Sequence, residues 1–88
     1  MAREVSEVNV YVLVQADLGM SSQVAREVGM LPGIVAVDQV TGPYDIIVQA
    51  TVRDGRDLDS GIILGIQGIH GVVRTLPCVA GLASKLAS

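Results

Sequence analysis

The strongest constraint on the fold of this 88-residue chain is a motif that occurs twice. The segment 31–35, LPGIV, returns 38 positions later as the segment 69–73, IHGVV. In each copy a helical apolar pattern precedes the glycine and a strand pattern follows it, so each half is predicted to be one βαβ unit. A chain this short buries only roughly 60% of its unfolded surface, so the two units share one core. We therefore expect a single domain over residues 1–88, with its folded part at about 6–80.

The first half contains a strand, a helix and a second strand. Apolar and polar residues alternate over 8–16, which predicts strand one. Pro32 and Gly33 then end a helix, with the glycine suited to the left-handed conformation beyond a helix C-terminus, and strand two is predicted over 34–40. The helix is indicated by apolar residues at spacings of four, four and three: Met20, Val24, Val28 and Leu31.

The second half repeats this order after a turn at 41–44, which its glycine and proline indicate. A third strand is predicted over 45–52, in a hairpin with strand two. A second helix starts near Asp57 or Asp59 and ends at Gly71. Its buried side is predicted to carry Leu58, Ile62, Ile66 and Ile69.

The fourth strand is predicted to run from Val72 to about Val79. Pro77 has no backbone N–H to donate, so this strand is expected at an edge of the sheet or with a bulge. Residues 81–88 are expected to form a loose tail.

The order βαββαβ predicts an α+β fold of the ferredoxin-like type. Two interleaved right-handed crossovers give a four-stranded antiparallel sheet with both helices on one face. The other face carries Tyr11, Leu13 and Ile47 and is too apolar to remain in water. Half of all residues are apolar. We therefore expect a homodimer that packs sheet against sheet, a dimeric α+β barrel.

Charge and cysteine content exclude several classes of protein. The net charge is −3 and the six basic residues are scattered, so direct nucleic-acid binding is not expected. A single cysteine excludes an internal disulfide and a cysteine-cluster metal site, which fits a reducing compartment. No signal peptide precedes the domain, and no apolar run reaches the ~18 residues of a membrane span. The protein is predicted to be cytoplasmic, without membrane contact.

The sequence does not indicate an enzyme. No metal-ligand spacing, phosphate loop, cofactor motif or catalytic motif occurs, so no cofactor is expected. His70 is interpreted as a structural residue at the C-terminus of the second helix, and Cys78 as a small core residue. Three glycines in the second helix each cost roughly 1 kcal/mol relative to alanine. Close packing is expected at these positions, with ligand access at Gly68 as the alternative: Gly61, Gly65 and Gly68.

The turn before strand three concentrates the polar chemistry of the chain. Asp45 can pair with an ammonium group, while Thr41 and Tyr44 add a hydroxyl and a phenol beside it. Free backbone N–H groups at such a turn can hold a carboxylate, so an α-amino acid is a matched ligand. The alternative is that Asp45 and Thr41 only stabilise the turn through local hydrogen bonds.

Two segments of the chain resemble the leucine-responsive regulator (Lrp/AsnC) family. They are VTGPYDIIV at 40–48 and IHGVVRT at 69–75. The resemblance covers about residues 6–80 and concerns only the family's effector domain, called the regulation of amino acid metabolism domain. It implies a βαββαβ fold, dimers that pack through their sheets, and assembly of dimers into an octamer or similar ring. It also implies amino-acid effectors bound in clefts between dimers.

The resemblance further implies which residues bind the ligand. The positions that match the family are Gly42, Tyr44, Asp45, Gly71 and Thr75. Thr41, from the same turn, is added to the predicted ligand-binding residues. By this resemblance Asp45 takes the ammonium group, Tyr44 shapes the cleft, and Thr75 contributes a hydroxyl from the adjacent dimer. Pro77 departs from the family, which often has a second threonine there, and it removes both a hydroxyl and an N–H.

Full-length members of the family carry an N-terminal helix-turn-helix, whereas seven residues precede the first predicted strand here. The chain is therefore predicted to be a stand-alone effector domain that modulates transcription indirectly, with a full-length Lrp/AsnC-type regulator as a partner. One alternative is a ligand-free oligomerisation or protein-interaction module. Another is a small dimeric ferredoxin-like enzyme of the monooxygenase type, which needs a polar cavity between sheet and helices. The apolar stripes over 8–14 and 46–52 argue against that cavity.

Overall fold

A computed structural model of the chain describes residues 8–53 and 61–79. The order of elements in this part is the predicted βαββαβ, and the fold is α+β and ferredoxin-like. The elements are β1 (Val8–Ala16), α1 (Ser21–Val28), β2 (Ile34–Gln39), β3 (Ile46–Val52), α2 (Leu64–Gln67) and β4 (Val72–Val79). The predicted starts of the second helix at Asp57 or Asp59, the side chain of Leu58 and the tail at 81–88 lie outside the described residues.

The four strands form one antiparallel sheet in the order β2-β3-β1-β4. Strand β1 is central, and its residue Val14 lies opposite Ile46 on one side and Thr75 on the other. Strands β2 and β3 pair as the predicted hairpin. Because partners in register point to the same face, this pairing assigns every strand residue to the helix side or to the uncovered side of the sheet.

The core lies between the sheet and the helices and is aliphatic. Alternate residues of β1 and β3 are buried, as their periodicity predicts. No polar or charged residue is buried among residues 8–53 and 61–79, so this layer does not offer the polar cavity that a monooxygenase-type enzyme requires. The buried set is Val10, Val12, Val14, Val24, Val28, Ile46, Val48, Ala50, Val52, Ile62, Ile63 and Ile66.

Both helices end earlier than predicted. Helix α1 stops at Val28 because Gly29 follows, and the next two N–H groups, those of Met30 and Leu31, bond back to the Glu27 and Val28 carbonyls in a tighter turn. The predicted end at Pro32 and Gly33 is therefore wrong, although Gly33 does have a positive φ of 87°. Helix α2 ends at Gln67, after a turn of π-helical type over 61–63, and not at Gly71.

Strand β4 is an edge strand, as Pro77 predicts. The irregularity in its pairing lies elsewhere, because Gln15 faces Arg74 and Ala16 faces Val72, which leaves Val73 as an extra residue. The interpretation of Cys78 as a core residue is wrong. Cys78 is exposed because it lies opposite Tyr11, on the uncovered face of the sheet.

The three glycines near α2 differ in how closely they are approached. A Cβ atom at Gly65 would lie 3.3 Å from Leu31 Cδ1, so the expected close packing is confirmed there. A Cβ at Gly68 would meet only the carbonyls of Leu64 and Gly65, and a Cβ at Gly61 would meet nothing within 4 Å. Close packing therefore does not explain Gly61.

Replacing Gly61 by alanine is expected to stabilise the domain by about 0.5–1 kcal/mol, because alanine loses less backbone entropy on folding and here has room for its methyl group. Urea unfolding of Gly61→Ala measures this difference. Gly65→Ala is the matched comparison, and its contact with Leu31 should cancel part of the gain. A destabilised Gly61→Ala domain would contradict the open surroundings of this residue.

Candidate functional site

The residues that carry the polar chemistry lie at one end of the sheet, where β1 ends and both β3 and β4 begin. We call this the Asp45 end, defined by Ala16, Asp45 and Gly71. Strand β1 lies between β3 and β4, so the turn before β3 and the segment before β4 flank its last residues. The two segments that sequence analysis singled out are therefore brought to the same edge of the molecule.

Asp45 is fixed by three hydrogen bonds. Its carboxylate Oδ2 accepts from the backbone N–H of Ala16 at 2.7 Å. Its own N–H donates to the Val14 carbonyl at 3.0 Å, and its carbonyl accepts from the Val40 N–H at 2.8 Å. The carboxylate bond joins residues 29 positions apart, so Asp45 does more than stabilise its own turn. The half-buried carboxylate retains a second oxygen for a cationic partner.

The turn in front of Asp45 is open to solvent. Thr41 and Gly42 are exposed and Tyr44 is half-buried. Gly42 has a φ of 152°, and a Cβ built on it would meet nothing within 4 Å, so space for a ligand exists beside its backbone. The turn thus carries a hydroxyl, a phenol and open main-chain groups in the four residues before an oriented carboxylate.

Gly71 lies on the other flank of β1 and has a structural reason to be glycine. Its carbonyl accepts from the Asp17 N–H at 2.7 Å, so the successive amides of Ala16 and Asp17 bond to the two flanking segments. Gly71 has a φ of 102°, and a Cβ there would lie 2.8 Å from Met20 Cε and 3.1 Å from Val24 Cγ2. Neither this conformation nor this spacing accommodates a side chain.

Thr75 is not brought together with Asp45 within one copy of the chain. It lies opposite Val14, whose buried side chain faces the helices, and its Oγ1 accepts from Gln67 Nε2 of α2 at 3.2 Å. Two strand spacings, about 10 Å, separate it from the start of β3. The ammonium and carboxylate of an α-amino acid are attached to the same carbon. Within one copy the Thr75 hydroxyl is therefore paired with α2 and not with Asp45.

Sequence reasoning did not find Gln67. A single glutamine at the end of a helix carries no periodic signal, and its proximity to Thr75 follows only from how α2 packs beside β4. Pro77 lies opposite Val12 in the pairing of β4 with β1 and is exposed. His70 is exposed in the turn that follows α2.

The described residues offer no alternative centre for chemistry. Within 8–53 and 61–79, no three His, Cys, Asp or Glu residues are grouped so that they could hold a metal ion. In the same part of the chain, no helix is long and apolar enough to cross a membrane. A mainly apolar cavity of about 300 Å³ lies at the opposite end of the sheet. Its lining is Leu31, Pro32, Gly33, Thr51, Val52, Gly61 and Ile62.

Comparison with known proteins places these features in a family. A family model described as the Lrp/AsnC ligand binding domain matches residues 9–80. The HTH-type transcriptional regulator FL11 of Pyrococcus horikoshii is 31% identical over 68 residues, covering 72% of this chain. These residues make up 45% of the regulator, so the chain spans about half the length of this curated relative.

Solved structures show the same fold. The protein TTHA0845 of Thermus thermophilus is 28% identical, with a TM-score of 0.78 that covers 84% of this chain and 92% of that one. The transcriptional regulator NMB0573 of Neisseria meningitidis, whose structure is of a complex with L-Met, is 16% identical with a TM-score of 0.75. That alignment covers 92% of this chain and 58% of the regulator, and it supports the fold alone.

Proposed function

The chain belongs to the Lrp/AsnC ligand-binding domain family, and from this premise we propose that it binds an amino acid and modulates transcription through its assembly. The family consists of effector domains of transcription regulators and not of enzymes. The chain is accordingly a regulatory effector domain. The amino-acid ligand, the order of assembly and the partner are parts of the proposal.

One observation carries the choice of ligand, namely the oriented carboxylate of Asp45 beside an open turn. The Ala16 N–H fixes Oδ2 at 2.7 Å, and the other oxygen can accept a charge-assisted hydrogen bond from an ammonium group. Thr41, Gly42 and Tyr44 precede Asp45 in the open turn, and the free space at Gly42 leaves room for the rest of the ligand. The regulator NMB0573, which shares this fold, has been solved in a complex with L-Met.

The proposed site is completed by a second copy of the chain. Asp45 and Thr75 lie on strands separated by β1, and the Thr75 hydroxyl is bonded to Gln67 within its own copy, so in this proposal Thr75 reaches the ligand from a neighbouring dimer. Gly71 holds the start of β4 beside the end of β1, because its carbonyl accepts a hydrogen bond from the Asp17 N–H. A ligand that needs two copies stabilises whichever assembly supplies both, which couples binding to a ring of dimers such as an octamer.

The proposed partner is a full-length regulator of the same family, encountered in the cytoplasm. FL11 is about twice as long as the matched segment, whereas this chain covers 92% of TTHA0845. That second comparison shows that TTHA0845 has little more than the matched domain. A mixed assembly would bring the amino-acid signal to the regulator without direct contact between this chain and DNA.

Thermal unfolding against each of the twenty amino acids at millimolar concentration tests the proposed function. A ligand at 100 times its dissociation constant stabilises the folded state by about 2.7 kcal/mol, so the midpoint should rise clearly for one or a few amino acids. The matched controls are the same ligand without its carboxylate and without its ammonium group, neither of which should act. If no amino acid raises the midpoint of a cooperative transition, the ligand-free oligomerisation module becomes the better account.

A further inference from the structure

A side-chain hydrogen bond joins α2 to β4 at an accessible position. Gln67, the last residue of α2, donates from Nε2 to Oγ1 of Thr75 at 3.2 Å, across eight positions of the chain. Gln67 is exposed and Thr75 is half-buried. The register places Thr75 on the helix side of β4, where it is the one polar residue. The other residues on that side are Val72, Pro77 and Val79.

Helix α2 does not need this bond to stay on the sheet. Ile66, the neighbour of Gln67, is 0% exposed and lies in the core together with Ile62 and Ile63. A neutral hydrogen bond between accessible groups contributes little to folding, because water replaces either partner when the bond breaks. The contact is therefore better explained by its effect on the Thr75 hydroxyl.

The direction of the bond decides what the Thr75 hydroxyl can do. A hydroxyl has one hydrogen to donate and two lone pairs that accept. Because Oγ1 accepts from Gln67 Nε2, one lone pair is occupied and the hydrogen is available to another partner. Among residues 8–53 and 61–79, no group accepts that hydrogen. The bond that Oγ1 accepts also polarises the O–H group and makes it a stronger donor.

We propose that Gln67 is a positioning residue, which orients the Thr75 hydroxyl so that it donates to the carboxylate of a free amino acid. The ammonium group of the same ligand pairs with Asp45 of a neighbouring copy, so this inference rests on the proposed function and deepens it. A hydroxyl turned the other way would direct its lone pairs at the carboxylate and repel it. The orientation therefore selects free amino acids over their α-amides, which offer only a neutral acceptor.

Gln67→Glu tests the direction of the bond. The substituted side chain has nearly the same shape but carries only acceptor atoms, so the Thr75 hydrogen turns toward it and the hydroxyl directs lone pairs at the ligand. Isothermal titration with each of the twenty amino acids, and with its α-amide, measures the outcome. For every amino acid that binds the native chain, the dissociation constant should rise at least about tenfold. The preference for the free acid over the α-amide should fall by about the same factor, which a merely structural role of Gln67 does not predict.

Three further variants isolate the cause. Gln23→Glu makes the same change on the exposed side of α1, and it should bind like the native chain. Gln67→Ala removes the donor without adding a charge, so its affinity should fall about threefold. The same substitution should cause no further loss in a Thr75→Val background, because Gln67 acts through Thr75. Circular dichroism establishes that each variant is folded.

The outcomes separate this inference from the proposed function. If the native chain binds an amino acid and Gln67→Glu keeps both its affinity and its preference for the free acid, the inference alone is overturned. An additional loss from Gln67→Ala in the Thr75→Val background overturns it as well. A native chain that binds none of the twenty amino acids overturns the proposed function, and this inference with it.

Discussion

Replacing Gly71 by alanine is expected to destabilise the domain by about 3 kcal/mol, since both the conformation and the space at this position require glycine. The φ of 102° disfavours any side chain. A new Cβ would also lie 2.8 Å from Met20 Cε and 3.1 Å from Val24 Cγ2, and Val24 is fully buried. Urea unfolding monitored by circular dichroism measures the loss, and for a domain of this size the thermal midpoint should fall by roughly 15 °C.

A second glycine, Gly19, separates the cost of the backbone conformation from the cost of crowding. Gly19 has a φ of 78°, but a Cβ there would meet nothing within 4 Å. Gly19→Ala should therefore lose only the backbone contribution, about 1 kcal/mol. Combining Gly71→Ala with Met20→Ala removes the closest contact, so the double variant should lose less than the two single losses added together. Equal losses for Gly71→Ala and Gly19→Ala would show that crowding by Met20 and Val24 is unimportant.

The strands could be predicted from the sequence because their signal is local. Alternation fixes β1 over Val8–Ala16, and the same pattern finds β3 to within one residue. The helix ends were less predictable. The apolar spacing continues to Leu31, which still packs on the core from the turn after α1, so periodicity does not show that the helix stops at Val28.

The wrong predictions for single residues also arose because local sequence does not show which contacts a residue makes in the folded sheet. An apolar strand pattern does not say which face a cysteine occupies at a sheet edge, and Cys78 proved to be exposed. The repeated glycines were predicted to end helices, whereas Gly33 and Gly71 both precede strands with positive φ and accept hydrogen bonds from a neighbouring strand or its end. Such contacts depend on strand register, and register is set by pairing across the sheet.

The candidate site could likewise be predicted in its residue types but not in its long-range contacts. The residue types in the turn predicted a carboxylate for an ammonium group, but the bond from Ala16 that orients Asp45 spans 29 positions and leaves no trace in the local sequence. The separation of Thr75 from Asp45 also follows from strand order. Because of that separation, the proposed binding site needs residues from two copies of the chain. Ligand binding and oligomer formation are therefore coupled only if the copies are arranged so that Thr75 of one approaches Asp45 of the other.

Replacing Asp45 by asparagine is expected to abolish amino-acid binding at concentrations that saturate the native chain, with little change in stability. The amide oxygen of asparagine can still accept the Ala16 N–H, but the side chain no longer carries the charge that attracts an ammonium group. Loss of such a partner typically costs about 2 kcal/mol or more, so the dissociation constant should rise at least about 30-fold. Isothermal titration with the amino acid identified by thermal unfolding measures this change.

Asp45→Ala distinguishes the two roles of the carboxylate. It removes the acceptor for the Ala16 N–H as well as the charge, so it should lose binding and also about 1–3 kcal/mol of stability. Glu27→Gln, which removes a negative charge from α1, is the control and should bind normally. If Asp45→Asn binds as tightly as the native chain, Asp45 serves only to fix the end of β1, and the ammonium group must be recognised elsewhere.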